Sequence, residues 1–188
     1  SLKLIGKIQI KNILMAMLAA ESKILKFRKI VNKVSQIKPV KGRLEKIGII
    51  KNNAIVILDY AHTPEALNIC LENIKDQFGE RKISVVFGCG GNRDKLKRPI
   101  MGKIANKYCN KIYITDDNPR NESPEKIRNE IKRKIIKSKI LEIPQRKKAI
   151  EQAVINLNSG EILVVAGKGH ENIQDYGKSK RFFSDKNV

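Results

Sequence analysis

Four short runs of β-branched and aliphatic residues each lead straight into a polar motif, and nothing else limits the folds open to this 188-residue chain so strongly. IVIL leads into Asp59-Tyr60-Ala61-His62, and ISVVF into Gly88-Cys89-Gly90-Gly91-Asn92-Arg93-Asp94. IYIT leads into Asp116-Asp117-Asn118-Pro119-Arg120, and ILVVA into Gly167-Lys168-Gly169-His170-Glu171. Short apolar runs bounded by turn residues read as buried strands. In an open parallel sheet every strand's carboxyl end meets one edge, and ligands bind in the crevice there. Four polar motifs at one edge amount to a site.

Helical patterns lie between the strands. Thr63 offers an N-cap and Pro64 a first helical residue. The helix that follows puts Leu67, Cys70 or Leu71, Ile74 and Phe78 on one face and stops at Gly79. Further helices are expected over 96–108 (Ile100, Met101, Ile104, Ala105, Tyr108), 124–136 (Ile127, Ile131, Ile135) and 146–157 (Ile150, Ala153, Val154, Leu157). Ser123-Pro124 repeats the starting signal, and Asn158-Ser159-Gly160 supplies the last stop. Strands alternating with helices of this length predict an α/β fold: a Rossmann-like, mostly parallel sheet with helices on both faces.

The first forty residues read differently. The segment 13–20 is apolar and alanine-rich, and a second helix is expected over 23–36, with Ile24, Leu25, Phe27, Ile30, Val31 and Val34 on one face. Pro39 interrupts helical continuation and Gly42 sits in a connector, so a domain boundary is expected there, between 1–41 and 42–188. Beyond it, 44–50 is a candidate first strand and Lys51-Asn52-Asn53 a turn. The chain opens on Ser1 rather than Met and reads as the interior of a longer protein with no secretory signal.

Composition narrows the functional classes. No apolar run approaches the ~20 residues that span a bilayer, so membrane insertion is not expected. Three cysteines without CxxC spacing (Cys70, Cys89, Cys109) argue against a disulfide framework or a zinc site and fit a cytoplasmic protein. The net charge of +20 raises nucleic-acid binding as a reading. Against it, the lysines are scattered, aromatics are 5%, and no basic–aromatic interleaving offers a stacking surface.

The motifs carry the chemistry. Gly88, Gly90 and Gly91 let backbone approach a ligand closely, beside Arg93, Asp94 and Lys95, although neither a Walker P-loop nor GxGxxG is spelled. In Asp116–Arg120 the guanidinium of Arg120 matches a carboxylate with two parallel bonds, while Asn118 both donates and accepts. Together these suit the carboxylate and ammonium of an amino acid; a plain Asn-Pro turn is the alternative. Lys168 and Glu171 bring a cation and a carboxylate to the last strand's end. Asp59 and His62 are within a loop's reach of a ribose and a phosphate, or else cap the Pro64 helix.

In this order and spacing, DYAHTPEAL, FGCGGNRDKLKRP, TDDNPR and VAGKGHE resemble the C-terminal domain of the Mur ligases. GKIQIKNILMAMLAA looks like the end of that family's central ATP-binding domain, and Gly42-Arg43-Leu44-Glu45 like the junction between the two. The resemblance implies a part of an ATP-dependent ligase of peptidoglycan synthesis, adding meso-diaminopimelate to UDP-N-acetylmuramoyl-L-Ala-D-Glu through an acyl phosphate. It implies that Arg93, Asn118, Arg120, Gly167 and Glu171 bind meso-diaminopimelate, with Asp117 supporting their loop. For ATP it implies Asn12 near the adenine, Arg43 near the phosphates and Asp59 on the ribose, with His62 beside them. The DNPR motif marks the diaminopimelate-adding members, because Arg120 pairs a distal carboxylate that lysine lacks. The family's P-loop, its Mg²⁺-holding modified lysine and its UDP-sugar domain have no counterpart here, so this stretch alone is expected to be inactive and to carry neither catalytic residues nor metal ligands. Three alternatives remain: a lysine-adding ligase, a folylpolyglutamate-type ligase, and a basic Rossmann-like module that binds nucleic acid.

Overall fold

Burial on both faces turns the apolar runs into strands. The computed structural model describes residues 4–21, 26–50, 53–136 and 138–188. Its elements in chain order are α1 (Lys7–Ala20), α2 (Phe27–Val31), β1 (Glu45–Ile50), β2 (Ala54–Asp59), α3 (Pro64–Phe78), β3 (Ile83–Phe87) and α4 (Lys97–Tyr108). Then follow β4 (Lys111–Ile114), α5 (Pro124–Lys132), β5 (Lys139–Glu142), α6 (Arg146–Ile155), β6 (Ile162–Ala166), β7 (Ile173–Asp175) and β8 (Lys180–Phe182).

Among the described residues six strands form one sheet in the order β1-β2-β6-β3-β4-β5. All neighbours are parallel except β1, which pairs antiparallel with β2 at one edge. β6 is last of the six in sequence yet lies between β2 and β3. Its carboxyl end therefore emerges between the loops that follow those two strands.

Side chains alternate across the sheet, as the two-residue period of a strand requires. Ile57, Val85, Ile112 and Val164 join one core with Leu67, Leu71 and Ile74 of α3, Met101 of α4 and Ile131 of α5. Leu58, Val86, Tyr113 and Val165 point the other way, against Ala149, Ile150 and Ala153 of α6. Cys70 and Leu71 are both buried, so the α3 face takes in each of them. Both expected N-caps form: the Thr63 hydroxyl accepts from the Ala66 N–H at 3.2 Å, and the Ser123 hydroxyl from the Lys126 N–H at 3.4 Å. Each such cap is worth about 1 kcal/mol.

Several boundaries differ from the sequence reading. The helix expected over 124–136 stops at Lys132, and Ile136 is exposed. Strand–helix alternation implies a strand ahead of the 146–157 helix without marking its residues, and β5 fills that place, whereas the β7–β8 hairpin has no such signal. Lys139–Glu142 lacks a continuous apolar run, and its pairing with β4 makes it a strand. The helix expected over 23–36 is instead α2 and a 3₁₀ turn at Val34–Gln36, with Ile24 and Leu25 outside the described residues. Lys51 and Asn52 of the expected turn are also outside them, while Asn53 has the φ of 73° that suits one. α1 is longer than expected, buries none of its side chains, and exposes Ile10, Leu14, Met15 and Leu18. Its N-terminus is held on α3, whose Gln77 and Asn73 accept from the N–H groups of Gly6 and Ile8 at 2.6 and 3.2 Å.

Candidate functional site

The loops after β2, β3, β4 and β6 enclose a cleft of about 590 Å³ at the carboxyl edge of the sheet. His62, Arg93, Asp117, Asn118, Arg120, Gly167 and Glu171 all line it, together with Tyr60 and Lys97. Every residue singled out for the amino acid is therefore at one place.

Glycines bring these loops together, but their close approach is to each other. A Cβ on Gly88 would collide with the Thr115 carbonyl oxygen, and one on Gly91 with that of Pro119. At Gly88 and Gly91 the close approach is of one loop to the next, while Gly90 lines the cleft. The Gly91 N–H donates to the Asn118 carbonyl at 2.9 Å, and Arg120 Nη1 donates to the Gly91 carbonyl at 2.8 Å. Arg120 has a left-handed φ of 51°, and its own N–H donates to the Asp175 carbonyl at 3.0 Å. Its Nη2 has no protein partner among the described residues. Arg93 is exposed at the rim and, among the described residues, donates to the Asn92 carbonyl.

Beneath the glycine loop lies Arg98, fully buried. It donates to Glu130 Oε2 at 2.7 Å, to both Glu122 oxygens at 3.0 and 3.1 Å, and to the Gly90 carbonyl at 3.1 Å. These bonds hold Glu122 well enough to keep its carboxyl below the ordinary value, the Arg98 bond being the leading cause.

The tandem carboxylates divide their work. Asp116 turns inward to pair with Arg128 and accepts from the Tyr176 hydroxyl at 3.3 Å. Burial raises its pKa against the opposing pull of Arg128. The same contact with Asp116, after burial, lifts the Tyr176 phenol to about 12. Asp117 instead faces the cleft, its Oδ1 3.8 Å from the ammonium of Lys168. Lys168 is fully buried and donates to Ile173 O, Asn118 Oδ1 and Glu171 Oε2 at 2.6, 3.2 and 3.3 Å. The Tyr60 hydroxyl donates to Glu171 Oε1 at 3.1 Å.

Three residues expected at ATP are not among those lining the cleft. Asp59 is buried, and its two oxygens accept from the N–H groups of Leu44 and Ala61 at 2.7 and 2.8 Å. Its carboxylate thus ties the Leu44 connector to the turn after β2. Burial is the main influence on its pKa and raises it. Arg43 is exposed and lies over the Tyr60 ring at 4.5 Å. Asn12 faces a separate, largely apolar groove of about 350 Å³ with Leu4, Ile13, Met17 and Ile37. His62 does line the cleft, exposed, with Nδ1 2.9 Å from its Tyr60 carbonyl partner.

Tyr60 and Arg98 were not singled out from the sequence, and Lys168 was named there as a cation without an assigned ligand. Lys168 had a visible signal, a cation held between two glycines at a strand end. Arg98 had none, since an arginine in a lysine-rich stretch reads as solvated.

A parallel sheet with an anion- and cation-lined crevice at its carboxyl edge defines an α/β ligand-binding domain, and the comparisons give its family. The model of the Mur ligase glutamate ligase domain matches residues 42–169. The chain belongs to the Mur ligase family. It is 47% identical over 188 residues to the UDP-N-acetylmuramoyl-L-alanyl-D-glutamate–2,6-diaminopimelate ligase of Rickettsia typhi, covering 98% of this chain and 37% of that one. A solved structure of a ligase of the same name superposes with a TM-score of 0.73 at 35% identity, covering 98% of this chain and 38% of the other. Folylpolyglutamate synthase of Mycobacterium tuberculosis complexed with ADP shares the fold, with a TM-score of 0.71 at 18% identity over 88% of this chain and 38% of that one. The chain thus spans a little over a third of the length of these relatives.

Proposed function

We propose that this chain is the amino-acid-presenting part of an ATP-dependent ligase that adds meso-diaminopimelate to UDP-N-acetylmuramoyl-L-Ala-D-Glu. The observation that carries the reading is the charge pattern of the cleft: Asp117 and Glu171 on its floor, Arg93 and Arg120 on its walls, with Asn118 between. Such a pattern complements an amino-acid centre, ammonium toward the carboxylates and carboxylate toward Arg120 and Asn118. Diaminopimelate has two such centres. Holding one leaves the amine of the other to attack the acyl phosphate made from the nucleotide substrate's carboxylate. The domain's contribution is then proximity: a fixed amine is worth a large effective concentration at the reacting carbon.

In this reading residues 1–41 end a central ATP-binding domain and 42–188 form the C-terminal one, which is supported by a family match that begins at Gly42. Arg43 and His62 are assigned to the ATP phosphates and Asn12 to the adenine. Asp59 serves the same end indirectly, by anchoring Leu44 beside Arg43. Mg²⁺ accompanies ATP, but the cleft carboxylates do not fit it. Asp117 and Glu171 already share the Lys168 ammonium, at 3.8 and 3.3 Å. Its ligands are assigned to the part of the longer protein outside this chain.

The test is amino-acid-dependent phosphate release by the longer protein containing this chain, with ATP, Mg²⁺ and the UDP-muramoyl dipeptide. Meso-diaminopimelate should support turnover while L-lysine and L-glutamate do not. Preference for lysine or for a folate acceptor with glutamate would replace this reading with one of its family alternatives. The 188-residue chain alone should release no phosphate.

A further inference from the structure

We infer that Lys168 is a positioning residue that sets the polarity of the amino-acid site, turning Asn118 so that its N–H₂ group, and not its carbonyl, faces the ligand. The inference rests on the proposed reading of the cleft as an amino-acid site and says how that site tells one end of its ligand from the other.

Lys168 cannot touch a ligand, being fully buried beneath the cleft. An ammonium has three protons and no acceptor. Here three acceptors surround it: the Ile173 carbonyl at 2.6 Å, Asn118 Oδ1 at 3.2 Å and Glu171 Oε2 at 3.3 Å. The Asn118 oxygen also accepts from the Asp175 N–H at 2.9 Å. Both of its neighbours are donors only, so a flipped amide would set N–H against N–H on two sides. The amide nitrogen is thereby left on the other side, 3.4 Å from Glu171 Oε2 and at the cleft wall.

Two consequences follow for the ligand. Asn118 and the Arg120 guanidinium both line the cleft and offer it donors that suit a carboxylate. One buried cation against two carboxylates, Asp117 and Glu171, leaves the floor with a net negative charge that suits an ammonium. Without Lys168 the Asn118 amide oxygen would keep the Asp175 N–H as its one donor among the described residues, and Glu171 would lose the cation that holds Oε2. The loop connecting β6 to β7 would thus control recognition made by the loop after β4.

The test is nuclear magnetic resonance on the protein with nitrogen-15 label, without ligand and titrated with meso-diaminopimelate or L-lysine. In Lys168→Met the Asn118 side-chain amide signals should move in the ligand-free spectrum, while backbone signals of β2 and β3 stay in place. Affinity for meso-diaminopimelate should fall about tenfold or more, the scale of one charge-assisted contact. Asn118→Asp covers the case in which Lys168→Met does not fold. It keeps an acceptor toward Lys168 and Asp175 and puts an oxygen in place of the N–H₂ that faces Glu171 and the cleft, so it should stay folded and lose binding to a similar degree. A folded Lys168→Met with unmoved Asn118 signals and wild-type affinity would overturn the inference, as would wild-type affinity in Asn118→Asp. A wild type that ignores meso-diaminopimelate, while Lys168→Met still shifts the Asn118 signals, would remove the functional reading and leave the amide orientation standing.

Discussion

The carboxylate of Asp59 accepts a hydrogen bond from the backbone N–H of Leu44 at 2.7 Å, fifteen residues earlier in the chain. Leu44 has a φ of 44°, a left-handed conformation that a leucine adopts only under constraint, and it is buried. Through this bond the end of β2 holds the connector that carries Gly42 and Arg43. Gly42 in turn lies so close to the backbone of Gly169 and His170 that a Cβ there would collide with it. The connector and the loop after β6 therefore form one packed unit.

Asp59→Asn should lower stability by about 1–3 kcal/mol, because one of two buried N–H groups would face an amide N–H₂ in place of an oxygen. Thermal unfolding and ATP KM, measured on the same preparation of the longer ligase, separate this from a direct ATP contact. A several-degree drop in Tm is expected. An unchanged Tm with a raised ATP KM would return Asp59 to the ribose.

Glu122 gives the protein an acid-sensitive bond. Its folded pKa lies below the ordinary 4.5, chiefly through Arg98. The stability it contributes is then fully present above its unfolded pKa and is lost as pH falls through the depressed folded value. Glu122→Gln should lower the urea midpoint at pH 7 and flatten its decline below about pH 4.5. Parallel acid limbs in the two proteins would remove Glu122 from that role.

Arg120→Ala in the longer ligase should raise KM for meso-diaminopimelate by roughly tenfold to several hundredfold, the range for losing a charge-assisted bidentate contact. Arg120→Lys should recover little, since an ammonium cannot bond the Gly91 carbonyl and a ligand carboxylate in the same fork geometry. Steady-state kinetics with both amino acids read this directly, and the margin between diaminopimelate and lysine should narrow.

Two glycine replacements should act in opposite directions. Gly91→Ala drives a methyl into the Pro119 carbonyl and should cost about 1–3 kcal/mol while loosening the cleft. Gly48→Ala, on the edge strand β1, meets nothing within 4 Å and should stabilise by about 0.4–1 kcal/mol by restricting the unfolded chain. Chemical denaturation of both variants tests whether loop packing, rather than glycine content, is what the motif requires.

The sequence by itself determined the elements and the composition of the site. Strand runs, the Thr63 and Ser123 caps and the residues lining the cleft were legible because each depends on neighbours a few positions away. Only the tertiary structure decided which of these groups are free. Asp59 and Asp116 read alike with Asp117, yet Leu44 and Arg128 claim the first two and the cleft receives the third. The hairpin β7–β8, whose Asp175 N–H bonds Asn118 across 57 residues, has no local pattern that announces it. Likewise Lys168 meets Asn118 across 50 residues, because β6 inserts between β2 and β3. Periodicity and capping report on local energies, whereas the burial of a lysine or the turn of an amide depends on partners that only strand order brings within 3 Å or so.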